Sequence, residues 1–248
     1  EAGFKTSFVK TDNDVVFFDV SNGAPRYDSS KSNHFIYKEN NHALYVNFSK
    51  EWKHWSLMAG LRAEQTNING DQLANDLDFD SSYLQFFPSV FLNYKLSAEK
   101  TFGVSISRRI DRPNYSQLNP FRFFLDPSTY SSGNPGLRPQ LTWSYELSYT
   151  VKQLNFTLGY SRTKQNFTVV IRPSENEDTV TVQIPVNLAT YDYYGLTVSA
   201  PFRFTKWWSS INNLNVFYGH YSGNLANTNL DNGTPAMHLS TNNSFTLK

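Results

Sequence analysis

The fold class the sequence predicts is all-β: an antiparallel up-and-down transmembrane β-barrel, present in part as about ten strands of a larger barrel. Three observations predict it. Apolar and polar residues alternate strictly over many stretches, short polar breaks take turns with long ones, and an aromatic content of 16% coexists with a mean hydropathy of −0.50. A barrel reconciles the last two values, because strands that put apolar side chains into lipid put polar ones into the lumen. No run approaches the ~18 consecutive apolar residues of a spanning helix, so crossing by helix is excluded and crossing by strand is not.

The predicted strands are, in order, 2–20, 33–49, 54–66, 83–97, 100–109, 141–151, 153–171, 178–204, 208–222 and 236–248. In the second, Leu44, Val46 and Phe48 oppose Tyr45, Asn47 and Ser49. In the third, Trp55, Leu57, Ala59, Leu61 and Ala63 oppose Ser56, Met58, Gly60, Arg62 and Glu64. Val90, Leu92, Tyr94 and Leu96 continue the pattern in the fourth, and Phe102, Val104 and Ile106 in the fifth. Downstream, Trp143, Tyr145, Leu147, Tyr149 and Val151 oppose Ser144, Glu146, Ser148, Thr150 and Lys152. Tyr194, Leu196, Val198, Ala200 and Phe202 oppose Gly195, Thr197, Ser199 and Arg203. Segment 178–204 is interrupted by Pro185, which cannot donate to a ladder. Segment 153–171 outruns the ~9–11 residues of a spanning strand and is expected to stand above the bilayer as a rigid wall.

Short breaks near 50–54, 97–100, 152–153 and 205–208 alternate with long segments near 66–82, 110–140, 172–188 and 222–236. The short breaks recur at roughly fifty residues, one membrane hairpin plus one outer loop per unit. Short turns on the periplasmic side and longer loops outside are the asymmetry of a transmembrane barrel. Trp52, Trp55, Trp207 and Trp208 flank short turns, where an amphipathic ring suits a membrane interface. A soluble sandwich or propeller shares the alternation and can cap its core with such rings. Polar faces of Ser, Thr, Asn and Gly with sparse charge argue against it.

A net charge of +1 gives no broad reason to expect a nucleic-acid partner. The lack of Cys excludes thiol catalysis, disulfides and Cys-ligated metal. Residues Glu1 to Lys5 do not form a secretion leader, so an exported protein is expected to have lost its N-terminus.

The segment Ser107-Arg108-Arg109-Ile110-Asp111-Arg112-Pro113 is followed by Leu118-Asn119-Pro120-Phe121 and by Gly133-Asn134-Pro135-Gly136-Leu137-Arg138-Pro139. With Tyr145-Glu146-Leu147-Ser148-Tyr149 after them, these motifs resemble the TonB-dependent receptor-like outer-membrane β-barrel family common in Bacteroidetes. The resemblance implies a bacterial outer-membrane location and a non-enzymatic receptor or transporter for a nutrient such as a siderophore, glycan or peptide. It also implies lipid and lipopolysaccharide contacts, a plug domain and a TonB complex as partners, with no cofactor. Full members resemble a plugged barrel of about 22 strands. Residues 1–248 are therefore expected to be one truncated barrel domain without its plug, ending in mid-alternation at Asn243 to Lys248.

Five prolines, Pro113, Pro120, Pro127, Pro135 and Pro139, preset φ and remove donors, so the 110–140 connection reads first as a stiff loop that stops a strand. Alternation places Arg62, Glu64, Lys95, Arg109, Glu146, Lys152 and Arg203 on the polar face, as contacts for a solute or for a plug. Tyr115, Phe121, Phe123, Phe124 and Tyr130 are outer-loop candidates, for a binding mouth or for packing. Asp76, Asp78 and Asp80 superficially resemble a calcium loop but lack its glycine and closing Glu, so a solvated acidic loop is expected, with a weak cation site that bridges lipopolysaccharide or stiffens the loop as the open alternative; the five His are dispersed, and no other metal site is expected. Nucleophile, zinc and phosphate-loop motifs are missing. A non-transporting adhesin or assembly platform shares every strand feature and stays open as the alternative.

Overall fold

The computed structural model describes residues 1–21, 23–29, 31–73, 77–174, 179–225 and 228–246. In chain order the elements are β1 (Ala2–Val15), β2 (Phe18–Asp19), β3 (Arg26–Tyr27), β4 (Asn33–Glu51), β5 (Trp55–Gln72), β6 (Leu77–Ser97) and β7 (Lys100–Asp111). Then come α1 (Tyr115–Leu118), β8 (Phe123–Asp126), β9 (Thr129–Ser131), β10 (Gln140–Val151), β11 (Leu154–Pro173), β12 (Thr181–Arg203), β13 (Trp208–Leu225) and β14 (Thr228–Phe245). The long strands pair antiparallel in the order β1-β4-β5-β6-β7-β10-β11-β12-β13-β14. This is an open meander: β1 and β14 do not pair with each other among the described residues.

All ten predicted strands are present, and so are the four short turns. The long connections are corrected. Of the segments expected as loops, 66–82, 172–188 and 222–236 are mostly strand, since pairing climbs to Gln72↔Leu77, Pro173↔Thr181 and Leu225↔Thr228. These hairpins stand well beyond the ~9–11 residues that lipid requires. Asp78 and Asp80 accordingly lie on the upper part of β6, where Asp80 accepts from Asn69 Nδ2 at 2.7 Å; Asp76 lies outside the described residues. Only 16–32 and 112–139 remain as long connections in the described wall.

Pro185 does not break β12. Its carbonyl accepts from Asn134 Nδ2 of the 112–139 connection at 3.0 Å, which shows that its N and C=O face away from β11. The missing donor therefore costs no bond to that neighbour, the position at which a strand tolerates proline. β12 pairs with β13 only from Thr190 onward, and β9 pairs parallel with Thr181–Gln183 higher up. A bulge in β11 at Gln165, whose φ is +57°, accompanies the register shift opposite Ala189.

The pairing register fixes two faces. On one, Val104, Leu147, Leu158, Leu196, Val216 and Met237 form a single row across six strands, with Phe102, Tyr149, Phe156, Val198, Leu214 and Leu239 below it. Most of these side chains are exposed although apolar, as lipid contact requires. Aromatic rings bound the band at both ends. Tyr145, Tyr160 and Tyr194 stack in the row above it at 5.9 and 4.9 Å, while Trp55–Tyr94 and Phe204–Trp208 contact at 4.4 and 4.3 Å beside the short turns. Directly above the tyrosine row the same face turns polar, with Arg162 Nε held 3.2 Å from Asp192 Oδ1. The opposite face, carrying Asn47, Ser89, Ser107 and Gly159, lines the lumen.

Candidate functional site

The 112–139 connection folds inward and lies as a strap across the upper lumenal wall. Its anchors are the residues of the motifs. Leu118 and Leu137 bury themselves against Phe35 and Tyr37 of β4 and Ile68 of β5, with Tyr115, Phe79 and Tyr83 packed around them. Phe35 and Leu118 are 0% and 2% exposed, the deepest apolar burial in the described molecule. Such a core stands where a water-filled lumen would otherwise leave aromatic side chains wet, and each buried Leu or Phe contributes about 1.5–3 kcal/mol.

Polar stitching then fixes the strap's shape. Asn114 caps α1 by accepting from Gln117 N at 3.0 Å, while Gln117 Oε1 accepts from Asn114 N at 2.9 Å. This reciprocal capping box stabilises a helix of one turn. Asn119 Oδ1 accepts from Phe121 N at 3.1 Å and from Asn33 Nδ2 at 3.4 Å. Gly133 N donates to Asn119 O at 2.9 Å, so closely that any side chain there would collide with backbone. At the far end Asn134 reaches Pro185, Arg138 N donates to Asn187 Oδ1 at 2.8 Å, and Asn187 Nδ2 returns a bond to Arg138 O at 2.9 Å. β8 and β9 extend the strap as a hairpin onto β12. One connection thus ties β4 and β5 to β12, crossing the inner side of the strands between them.

Below the strap, the lumenal wall from β1 to β7 lines an open concavity of about 800 Å³. Glu64 sits at its edge with a side chain only 8% exposed. Two guanidinium groups hold it: Arg62 Nε at 3.1 Å and Arg112 Nη2, which also donates to Thr66 Oγ1 at 3.1 Å. The two guanidinium groups replace the hydration that a carboxylate this buried gives up. Arg62 additionally stacks over Phe87 at 4.7 Å. Lys5, Arg109, Tyr45, Asn41 and Phe91 also line the cavity. At the cavity's flank, β6 and β7 pair only as far up as Ser89↔Ser107. Arg108 closes the seam above, donating to Phe86 O and Gln85 Oε1, both at 2.8 Å.

The family model described as "Outer membrane protein beta-barrel family" matches residues 1–248. The chain belongs to the outer membrane protein β-barrel family. It lies in the bacterial outer membrane. Solved outer-membrane barrels similar to this family member include the copper transporter OprC, at 11% identity and a TM-score of 0.65, over 89% of this chain and 35% of that one. The hemophore receptor HasR of Serratia marcescens matches at 13% and 0.58 over 90% and 42%, and the ferric yersiniabactin uptake receptor FyuA of Yersinia pestis at 14% and 0.56 over 89% and 32%. This barrel segment therefore spans between about a third and two fifths of those three chains. No curated protein matches the chain.

Within this outer-membrane barrel wall, the sequence-predicted residues separate into groups. Arg62, Glu64 and Arg109 come together at the cavity. Glu146 lies elsewhere on the lumenal face, accepting from Ser105 Oγ at 3.4 Å, while Lys95 and Arg203 sit toward the short turns, where Arg203 Nη2 donates to Lys206 O at 3.5 Å. Of the aromatics, Tyr115 packs on Phe35 at 5.4 Å between ring centres and Tyr130 is buried beside Val180 and Val182. Phe121 is half-buried, and Phe123, Phe124 and Leu125 are exposed at the outer rim. Sequence reasoning did not join Lys5 and Arg112 to the site. Lys5 carries a usable signal, its alternation with the outward Phe4, whereas Arg112 lies one residue past the end of β7, where alternation stops.

Proposed function

We propose that this barrel segment forms part of the wall of a TonB-dependent uptake receptor, of the type its loop motifs resemble in Bacteroidetes. The receptor binds a siderophore, glycan, peptide or similar nutrient outside and passes it inward unaltered, without enzymatic chemistry. The observation that carries this reading is the strap. A connection folded into the mouth, braced at both ends and lying over a polar cavity, suits a barrel that admits a selected solute rather than an open pore. The description of FyuA as an uptake receptor, of OprC as a transporter and of HasR as a hemophore receptor supports it. We read residues 1–248 as one barrel domain, with a plug domain and the TonB complex as partners. Arg162 and Trp143, at the level of the outer aromatic row, face lipopolysaccharide.

The test is growth and solute accumulation by cells carrying or lacking the full-length gene, with and without a protonophore. Accumulation of one nutrient that needs both the gene and the proton gradient is expected. Accumulation unaffected by gene loss, with surface adhesion lost instead, would overturn the proposal in favour of an adhesin.

A further inference from the structure

We infer that the cavity beneath the strap binds a multiply charged anion, through carboxylate or phosphate groups, with Lys5 and Arg109 as its principal contacts. The inference rests on the uptake reading and deepens it by naming the charge class of the solute.

Five cations, Lys5, Arg62, Arg108, Arg109 and Arg112, line the cavity with one carboxylate, Glu64. Glu64 is already bound by Arg62 and Arg112. Lys5 and Arg109 have no ion pair among the described residues, and they project from β1 and β7, at the two ends of the cavity's wall. The chain's net charge is only +1, so this local excess does not follow from a basic composition. Cations lining one concave, low-dielectric wall add to a joint positive field. A multiply charged anion held against that wall gains charge-assisted hydrogen bonds from the cations it reaches. Tyr45 and Asn41 add neutral donors between them, and the Phe87 ring positions the Arg62 guanidinium. A neutral solute gives these unpaired cations nothing to do, and a cationic solute is repelled.

The test is calorimetric titration of the full-length protein in detergent with citrate, with inorganic triphosphate and with uncharged maltose. At least one anion is expected to saturate and maltose not to. Preference between the two anions tells carboxylate from phosphate recognition. The double variant Lys5→Gln, Arg109→Gln should weaken that binding by roughly tenfold or more. Lys38→Gln, the same charge change on the outer face, should leave it within about twofold. If the double variant fails to assemble, salt decides: wild-type affinity must fall steeply between about 50 and 500 mM sodium chloride. The inference is overturned if neither anion saturates, as where an acidic segment of a plug already fills the cavity. Equal binding of maltose, an equal loss in Lys38→Gln or indifference to salt overturns it too. Proton-gradient-dependent uptake without anion binding refutes this inference and leaves the receptor reading intact.

Discussion

At the residue scale, the strap depends on contacts that tolerate little change. Gly133 is fixed by the backbone of Asn119 and Gln117, with the Asn119 nitrogen and Gln117 oxygen each 2.8 Å from where a Cβ would stand. Neither can yield as a flexible side chain would, so Gly133→Ala should cost about 1–3 kcal/mol of strap docking. Trypsin added to intact cells should then cut after Arg122 faster than in the wild type; an unchanged rate would refute the packing. Tyr37 sits in the same core and donates to Glu39 Oε2 at 2.7 Å. Burial, reinforced by that bond, pushes its phenol well above the usual tyrosine range. A phenol released from the core ionises near pH 10 while the docked one stays neutral. Stability is therefore complete below about pH 10 and falls as pH rises beyond it. Urea midpoints at about pH 8 and pH 11 should converge in Tyr37→Phe more than in the wild type, and equal slopes would contradict the assignment.

At the element scale, the strands were legible because lipid on one side and a wet lumen on the other impose a period of two. Tyr145, Leu147 and Tyr149 against Ser144, Glu146 and Ser148 is that period in β10. The chain lacks Cys, so single cysteines carrying a fluorophore can read it in reconstituted full-length protein. Labels at Leu147 and Tyr149 should be quenched by brominated lipid, and labels at Glu146 and Ser148 should not; equal quenching would rule out a membrane wall. The hairpin tops were misread for the same physical reason. Above the bilayer the outer face meets water in place of lipid, and the inner face, though buried beneath the strap, is polar except at Ile68, so Thr66-Asn67-Ile68-Asn69-Gly70-Asp71-Gln72 looks like a loop although it is paired to Gln72. Pro185 misled because proline's cost depends on which neighbour its nitrogen faces, and that becomes visible only once the strap is in place.

At the scale of the whole molecule, the sequence showed the wall but not what fills its mouth. Alternation put Arg62, Glu64 and Arg109 on one polar face, and the structure brings all three to the wall of one cavity. It could not show that three of the ten long strands separate Lys5 from Arg109, or that Arg112 turns back to Glu64, because both are non-local facts. The motifs read as loop chemistry prove to be anchors: Leu118 and Leu137 are apolar residues in a proline-rich connection, and a loop lying outside in water has no use for them. The claim on which both site and function rest is that 112–139 lies inside the mouth. The direct test is oxidation of the Asn33→Cys, Asn119→Cys pair in intact cells, where the native side chains meet at 3.4 Å. Rapid cross-linking is expected, with each single variant still assembling and with no thiol left for a membrane-impermeant maleimide. Two freely labelled cysteines that never cross-link would place the connection outside the barrel and contradict it.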